Sequence, residues 1–365
     1  MFLVFILFLL GLFLIIHGGD ILVRSALALN RVTGINQVII GATFVSVATT
    51  LPEVFVSIFA VAANNHGIAV GNAIGSMIAN IALVLAISLA FLPQVIKRRE
   101  VLGKSIFLLI ATAVVFLFAV NLRVSWYEGV ILLCAFAGFL LYNAKEAASP
   151  ARTTPSSPAA SPPLQGGELC TSAQGNNNPI VTSSKRSDNP PEKETNSPPW
   201  MGGGTKCAGV VWKIAGGFVF GQLLLIVGAF AIVENGEALA HFFNISETVV
   251  GFTVIAVGTS LPELTTAITS IKRKSGGLAI GNVIGANVIN CTLLLGVCGI
   301  IGDIKGVALP VSRETVFVAI PVLLILTAIA VVPMLIRGKT SRWQGFALLA
   351  MYAAYVTYLV VVQPT

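Results

Sequence analysis

Ten stretches of this chain are apolar over about the 20 residues needed to cross ~30 Å of hydrocarbon. They lie near residues 2–23, 37–63, 68–92, 104–120, 124–143, 209–233, 245–271, 277–301, 314–336 and 343–362. Lipid offers a backbone no hydrogen bonds, so each run has to close its own and cross as a helix. The expected fold is an all-α polytopic membrane protein with ten transmembrane helices. Composition agrees, because only 10% of the 365 residues are charged, against roughly 25% in a soluble domain. The first run, MFLVFILFLLGLFLII, has no basic residue ahead of it and no small-residue cleavage site behind it, so it reads as a retained helix rather than a signal peptide.

Ten spans put both termini on one side, and the basic residues show which side that is. Nineteen of the 22 Lys and Arg residues fall in connections on one face, among them Lys97, Arg98, Arg99, Lys104, Lys272, Arg273 and Lys274. The other face receives only Arg123, Lys305 and Arg313. The positive-inside bias makes the first face cytoplasmic and leaves both termini outside. The net charge of +7 is therefore topological and indicates no nucleic-acid partner. Five cysteines without CxxC spacing indicate neither a disulfide framework nor a zinc site. His17, His66 and His241 have no ligand spacing, and Asp20, Glu234 and Glu237 read as interfacial.

Residues 146–206, rich in Pro, Ser, Gly, Thr and Asn, divide the chain into a first five-helix unit (1–145), a disordered cytoplasmic linker and a second five-helix unit (207–365). The acids of the linker lack EF-hand spacing.

Shifted by 210 positions, residues 41–86 align without a gap on 251–296, with 17 of 46 positions identical. GATFVSVATTLPE, ending at Glu53, falls on GFTVIAVGTSLPE, ending at Glu263; GNAIGSMIAN, ending at Asn80, falls on GNVIGANVIN, ending at Asn290. Five helices is an odd number, so the second copy enters the membrane from the opposite face. The copies are expected to be inverted repeats, an architecture of alternating-access transporters.

In each copy a proline (Pro52, Pro262) interrupts an apolar helix and is followed by a glutamate. Proline removes a backbone hydrogen bond, which frees carbonyls near Ser46, Thr49, Ala256 and Thr259 to face a cavity or an ion. A carboxylate at the bilayer centre costs ~2.5–3.5 kcal/mol, and this chain accepts that cost twice. Glu53 and Glu263, with the threonine carbonyls and the hydroxyls of Thr50 and Ser260, form a hard oxygen set suited to Ca²⁺. Ser76 and Asn80 share a face of helix 3, and Asn290 takes the matching place in helix 8. Glycines 71, 75, 281 and 285 permit close helix approach.

The paired TTLPE and GTSLPE motifs, each followed by GNxIG, resemble the two alpha repeats of the calcium/cation antiporter superfamily, specifically the prokaryotic sodium/calcium exchangers. The resemblance implies one Ca²⁺ or several Na⁺ bound at overlapping midplane sites, exchanged by sliding helices 1 and 6 over the remaining helices. It implies Glu53 and Glu263 as central carboxylates and Thr49 and Thr259 as carbonyl donors. Ser46 and Ala256 would serve flanking sodium sites, and Ser76, Asn80 and Asn290 would be side-chain ligands. Where relatives read GSN, this chain has GSM at Met77 and GAN at Ala286, and Asn290 stands where many relatives carry Asp. That pattern predicts a weakened sodium site and no potassium requirement.

The resulting expectation is a plasma-membrane Ca²⁺/Na⁺ antiporter, monomeric and without a cofactor. A Ca²⁺/H⁺ antiporter on the same scaffold is the nearest alternative, and a passive cation channel a more distant one. An enzyme is not expected, since no HExxH pair or second acidic motif accompanies the GGD at 18–20.

Overall fold

A computed structural model describes residues 2–92, 98–148, 205–242 and 256–362. The described residues are almost wholly helical: α1 (Phe2–Thr33), α2 (Gln37–Ala62), α3 (His66–Phe91), α4 (Arg98–Ala119), α5 (Trp126–Ala148) and α6 (Thr205–Phe242) are followed by α7 (Leu261–Lys272), α8 (Gly276–Ile304), α9 (Thr315–Arg337) and α10 (Arg342–Val362). Among the described residues, α1 to α6, α8 and α9 contain segments long and apolar enough to cross a membrane. The seventh expected run is described only from a helical turn at Ala256–Thr259 onward. Most of the expected linker lies outside the described residues.

Seventy-eight per cent of the apolar windows of α3 and α8 are buried, against 22% in α1 and 28% in α6. Helices α3 and α8 therefore form the centre, while α1 and α6 lie at the edge and show Phe2, Phe13, Ile16, Trp212 and Val219 to the surroundings. Polar side chains concentrate inside, on α2, α3, α7 and α8. Polar interior and apolar exterior are what a lipid solvent selects.

The connections recur at the repeat distance. Between α2 and α3 the turn is closed by Ala63 N–H to Phe59 O (2.9 Å), Asn64 N–H to Val61 O (3.0 Å) and Asn65 N–H to Ala60 O (2.7 Å). Between α7 and α8 it is closed by Arg273 N–H to Thr269 O (3.0 Å), Lys274 N–H to Ile271 O (2.9 Å) and Ser275 N–H to Ser270 O (2.8 Å). Every partner is displaced by 210, and Asn64 (φ 63°) and Lys274 (φ 53°) share the left-handed conformation. Packing is paired too. A Cβ on Gly129 of α5 would meet Gly296 O of α8 at 2.6 Å, and one on Gly345 of α10 would meet Ala86 O of α3 at 2.5 Å; Ala86 and Gly296 are repeat equivalents. Strands β1 (Arg123–Val124) and β2 (Leu309–Pro310) join antiparallel.

Two local expectations change. Pro52 lies inside an unbroken helix, whereas the chain leaves helical geometry at Ser260 (φ −86°, ψ 1°) and Pro262 occupies the first turn of α7. A proline there removes no helical hydrogen bond. Lys104, expected as free flanking charge, is fully buried. Its Nζ meets Glu146 Oε2 at 2.5 Å and lies 5.6 Å from the centre of the Tyr142 ring. A lysine reaching inward finds a carboxylate one helix away, which offsets its desolvation.

Candidate cation site

Four helices bring the repeated motifs together. Helices α2 and α7 carry the glutamates; α3 and α8 carry the amides, each with a π-helical turn that begins at an asparagine, Asn80–Leu85 in α3 and Asn290–Leu294 in α8. Such turns interrupt the regular backbone bonding and are frequent at functional sites. Close approach is built in: a Cβ on Gly281 would stand 2.3 Å from Val38 O, and one on Gly285 2.7 Å from Ala42 O. Glycine is required at both positions for α8 to lie against α2.

Glu53 and Glu263 are both completely buried and lie within electrostatic reach of each other. Thr50 Oγ1 donates to Glu263 Oε1 at 3.3 Å, which joins the two repeats. Its counterpart Ser260 has no partner for its hydroxyl, and neither oxygen of Glu53 nor Oε2 of Glu263 has one. Around them, Ser76 Oγ and Thr259 Oγ1 are 3.5 Å apart, again across repeats. Thr49 Oγ1 donates to Asn282 Oδ1 at 3.2 Å, and Ser46 Oγ to Thr43 O at 3.2 Å. The amides of Asn80 and Asn290 are buried with all four polar atoms unpartnered. Ala256 opens the helical turn Ala256–Thr259 that precedes Ser260.

Unpaired buried carboxylate oxygens are costly unless a cation or donor meets them. Among the described residues no ion pair reaches either glutamate, and no group of three or more His, Cys, Asp or Glu forms. A cation here would be met by two carboxylates and neutral oxygens, which is hard-cation chemistry.

The family model described as "Sodium/calcium exchanger protein" matches residues 3–145 and 213–361. The chain belongs to the sodium/calcium exchanger family. Sodium/calcium exchanger MaX1 of Methanosarcina acetivorans is 29% identical over 379 residues, covering 97% of this chain and 98% of its own. Inner membrane protein YrbG of Escherichia coli is 32% identical over 304 residues, covering 82% and 80%. Among solved structures, the sodium-calcium exchanger NCX_Mj soaked with 2.5 mM Na⁺ and 0.1 mM Ca²⁺ superposes with a TM-score of 0.74 at 26% identity, covering 99% of both chains. As a member of the exchanger family, the chain is a multi-pass membrane protein of cation exchange transport.

Sequence reasoning missed the second layer of this exchanger's centre. Asn72 donates through Nδ2 to Glu53 O (3.1 Å) and Ser57 Oγ (2.9 Å), and its Oδ1 accepts from Thr259 Oγ1 (3.3 Å) and Ser76 Oγ (3.5 Å). Asn282 donates to Thr266 Oγ1 (2.9 Å), which donates to Glu263 O (2.8 Å). Asn287, the counterpart of Met77, is also buried with its amide unpartnered. The signal was present in the repeated GN pair at 71–72 and 281–282, where the glycines drew attention as packing residues.

Proposed function

We propose that this chain exchanges Ca²⁺ for Na⁺ across the membrane by alternating access, with Glu53 and Glu263 as the central ion ligands. The observation that carries the reading is the pair of fully buried glutamates, three of whose four carboxylate oxygens have no partner. Two fixed negative charges are neutralised by one divalent ion or by several monovalent ones, so the two kinds of ion compete. The empty, charged site meets a barrier to crossing, and exchange follows. Backbone carbonyls of Thr49 and Thr259 with side-chain oxygens of Ser76, Asn80 and Asn290 bring the set into the range of six to eight that Ca²⁺ accepts. The carbonyls of Ser46 and Ala256 serve the flanking sodium positions. Thr50, which donates to Glu263, orients that carboxylate, and the hydroxyl of its repeat equivalent Ser260 completes the oxygen set.

Ten spans in two inverted five-helix repeats, residues 1–145 and 207–365, give this site its symmetry, with both termini outside and the linker in the cytoplasm. The α2–α3 and α7–α8 turns that recur 210 residues apart support the duplication, and an odd number of helices per copy inverts the second. Both halves of the site come from one chain, so a monomer suffices. MaX1 and NCX_Mj are named as sodium/calcium exchangers, which favours Na⁺ as counter-ion here. If three Na⁺ enter per Ca²⁺ leaving, one net charge crosses per cycle, and the membrane potential contributes ~2.3 kcal/mol per 100 mV.

The test is radioactive Ca²⁺ uptake into proteoliposomes driven by an outward Na⁺ gradient, at fixed pH with a protonophore present. Uptake that collapses when Na⁺ is replaced by choline is expected. Uptake indifferent to Na⁺ and driven by a pH gradient instead would move the chain to the Ca²⁺/H⁺ class.

A further inference from the structure

We propose that Asn72 and Asn282 are positioning residues that set the hydrogen-bond polarity of the cation site, turning the lone pairs of the Thr259, Ser76 and Thr49 hydroxyls toward the ion. The inference rests on reading the surroundings of Glu53 and Glu263 as a cation site and adds residues outside the ligand set. Its basis is an anchor at each end. The backbone oxygen of Glu53 can only accept, so the group of Asn72 facing it at 3.1 Å is the NH₂. The other end of the amide is therefore its carbonyl oxygen. Thr259 Oγ1 at 3.3 Å and Ser76 Oγ at 3.5 Å have to donate to it.

In the second repeat the same polarity is reached through one more residue. Thr266 Oγ1 gives its hydrogen to Glu263 O (2.8 Å) and so accepts from Asn282 Nδ2 (2.9 Å). That fixes Asn282 Oδ1 toward Thr49, whose hydroxyl donates to it at 3.2 Å, the nearer of its two acceptors, the other being Ser46 O at 3.4 Å. Asn72 and Asn282 are repeat equivalents, as are Thr49 and Thr259, and each relay starts on the glutamate of its own repeat and ends on a hydroxyl of the other.

A hydroxyl free to rotate presents either a hydrogen or a lone pair to a neighbour. With its hydrogen held by a buried amide, each hydroxyl offers only lone pairs elsewhere, and no reorganisation is needed when a cation arrives. Both asparagines are neutral, so the relay adds no charge to the two that the glutamates supply.

Thr266→Val is the discriminating substitution: it keeps side-chain shape and meets Glu263 only at the backbone oxygen, leaving the carboxylate untouched, yet releases the anchor that orients the amide. Calcium binding to the purified full chain in nanodiscs, by isothermal titration, is compared among wild type, Thr266→Val, Thr266→Ser, Asn282→Leu and Asn72→Leu, with melting of the ion-free proteins recorded alongside. Thr266→Val is expected to weaken Ca²⁺ binding by about three- to tenfold while melting near wild type, Thr266→Ser to retain wild-type affinity, and the two leucine variants to lose more. Wild-type affinity in folded Thr266→Val, or a melting loss with no change in affinity, overturns the relay. If the leucine variants do not fold, the Thr266 pair decides alone. The panel is titrated with Na⁺ as well. A wild-type protein that binds Na⁺ and not Ca²⁺ overturns the exchange reading and leaves the relay to be judged on Na⁺; one that binds neither overturns both.

Discussion

At the scale of single residues the site is asymmetric although its sequence is duplicated. Glu263 receives the Thr50 hydroxyl, whereas neither oxygen of Glu53 has a partner. Losing either carboxylate's charge leaves a divalent ion half neutralised in a buried place. Breaking a buried charge pair costs on the order of 3 kcal/mol or more, so Glu53→Gln and Glu263→Gln are each expected to weaken Ca²⁺ binding by about a hundredfold. Calcium titration of the two variants checks this, and binding within tenfold of wild type in either would remove that glutamate from the ligands. Both residues could be found in sequence because a carboxylate in an apolar run is energetically conspicuous. Asn72 and Asn282 were not, because a buried amide that bonds only to its neighbours carries no charge, and its partners Glu53, Thr259 and Thr266 are set by folding rather than by spacing.

At the scale of helices, glycine positions decide which elements can touch. On α8, Gly281 leaves 2.3 Å for a Cβ before Val38 O, and on α5 Gly129 leaves 2.6 Å before Gly296 O. Backbone atoms cannot move aside as a side-chain tip can, so overpacking is expected to cost about 1–3 kcal/mol at each. Gly281→Ala and Gly129→Ala should melt measurably lower in detergent, while Gly138→Ala, with open space around its Cβ, should melt at or above wild type because alanine favours helix. Equal melting of all three would mean that these contacts do not hold the helices. Helix existence was legible from apolar run length, and the small-residue spacing hinted at close packing. The π-helical turns at Asn80 and Asn290 were not, because one extra residue in a helical turn leaves the apolar pattern almost unchanged. The break at Ser260 was hidden for a related reason: the flanking run stays apolar through it.

At the scale of the whole molecule, α1 and α6 form an edge pair that meets antiparallel through small residues, Gly11 with Gly228, Gly18 with Gly221 and Ser25 with Gly217. Among the described residues one ion pair ties this pair to the centre: Asp20 of α1 accepts from Arg273, in the turn between α7 and α8, at 2.7 Å, and also pairs with Arg24 on its own helix at 2.6 Å. If α1 slides during exchange, the Arg24 pair travels with it and the Arg273 pair has to break. Both members are about one-third exposed (32% each), so the tie is worth about 0.2–1 kcal/mol and is screened by salt. Asp20→Asn and Arg273→Gln should therefore change the rate of Na⁺-driven Ca²⁺ uptake by up to about fivefold. Calcium affinity, which the proposed function assigns to Glu53 and Glu263, should stay within about twofold. Because the two residues act through one contact, the double variant should match either single one. Additive rate changes, or a shift in affinity of the same size as the shift in rate, would show that Asp20 acts elsewhere. The membrane-length helices could be read from run length, but the partners of Asp20 and Lys104 could not. Each partner comes from a helix or turn distant in sequence, and a flanking charge looks the same whether it ends in headgroups or in a pair.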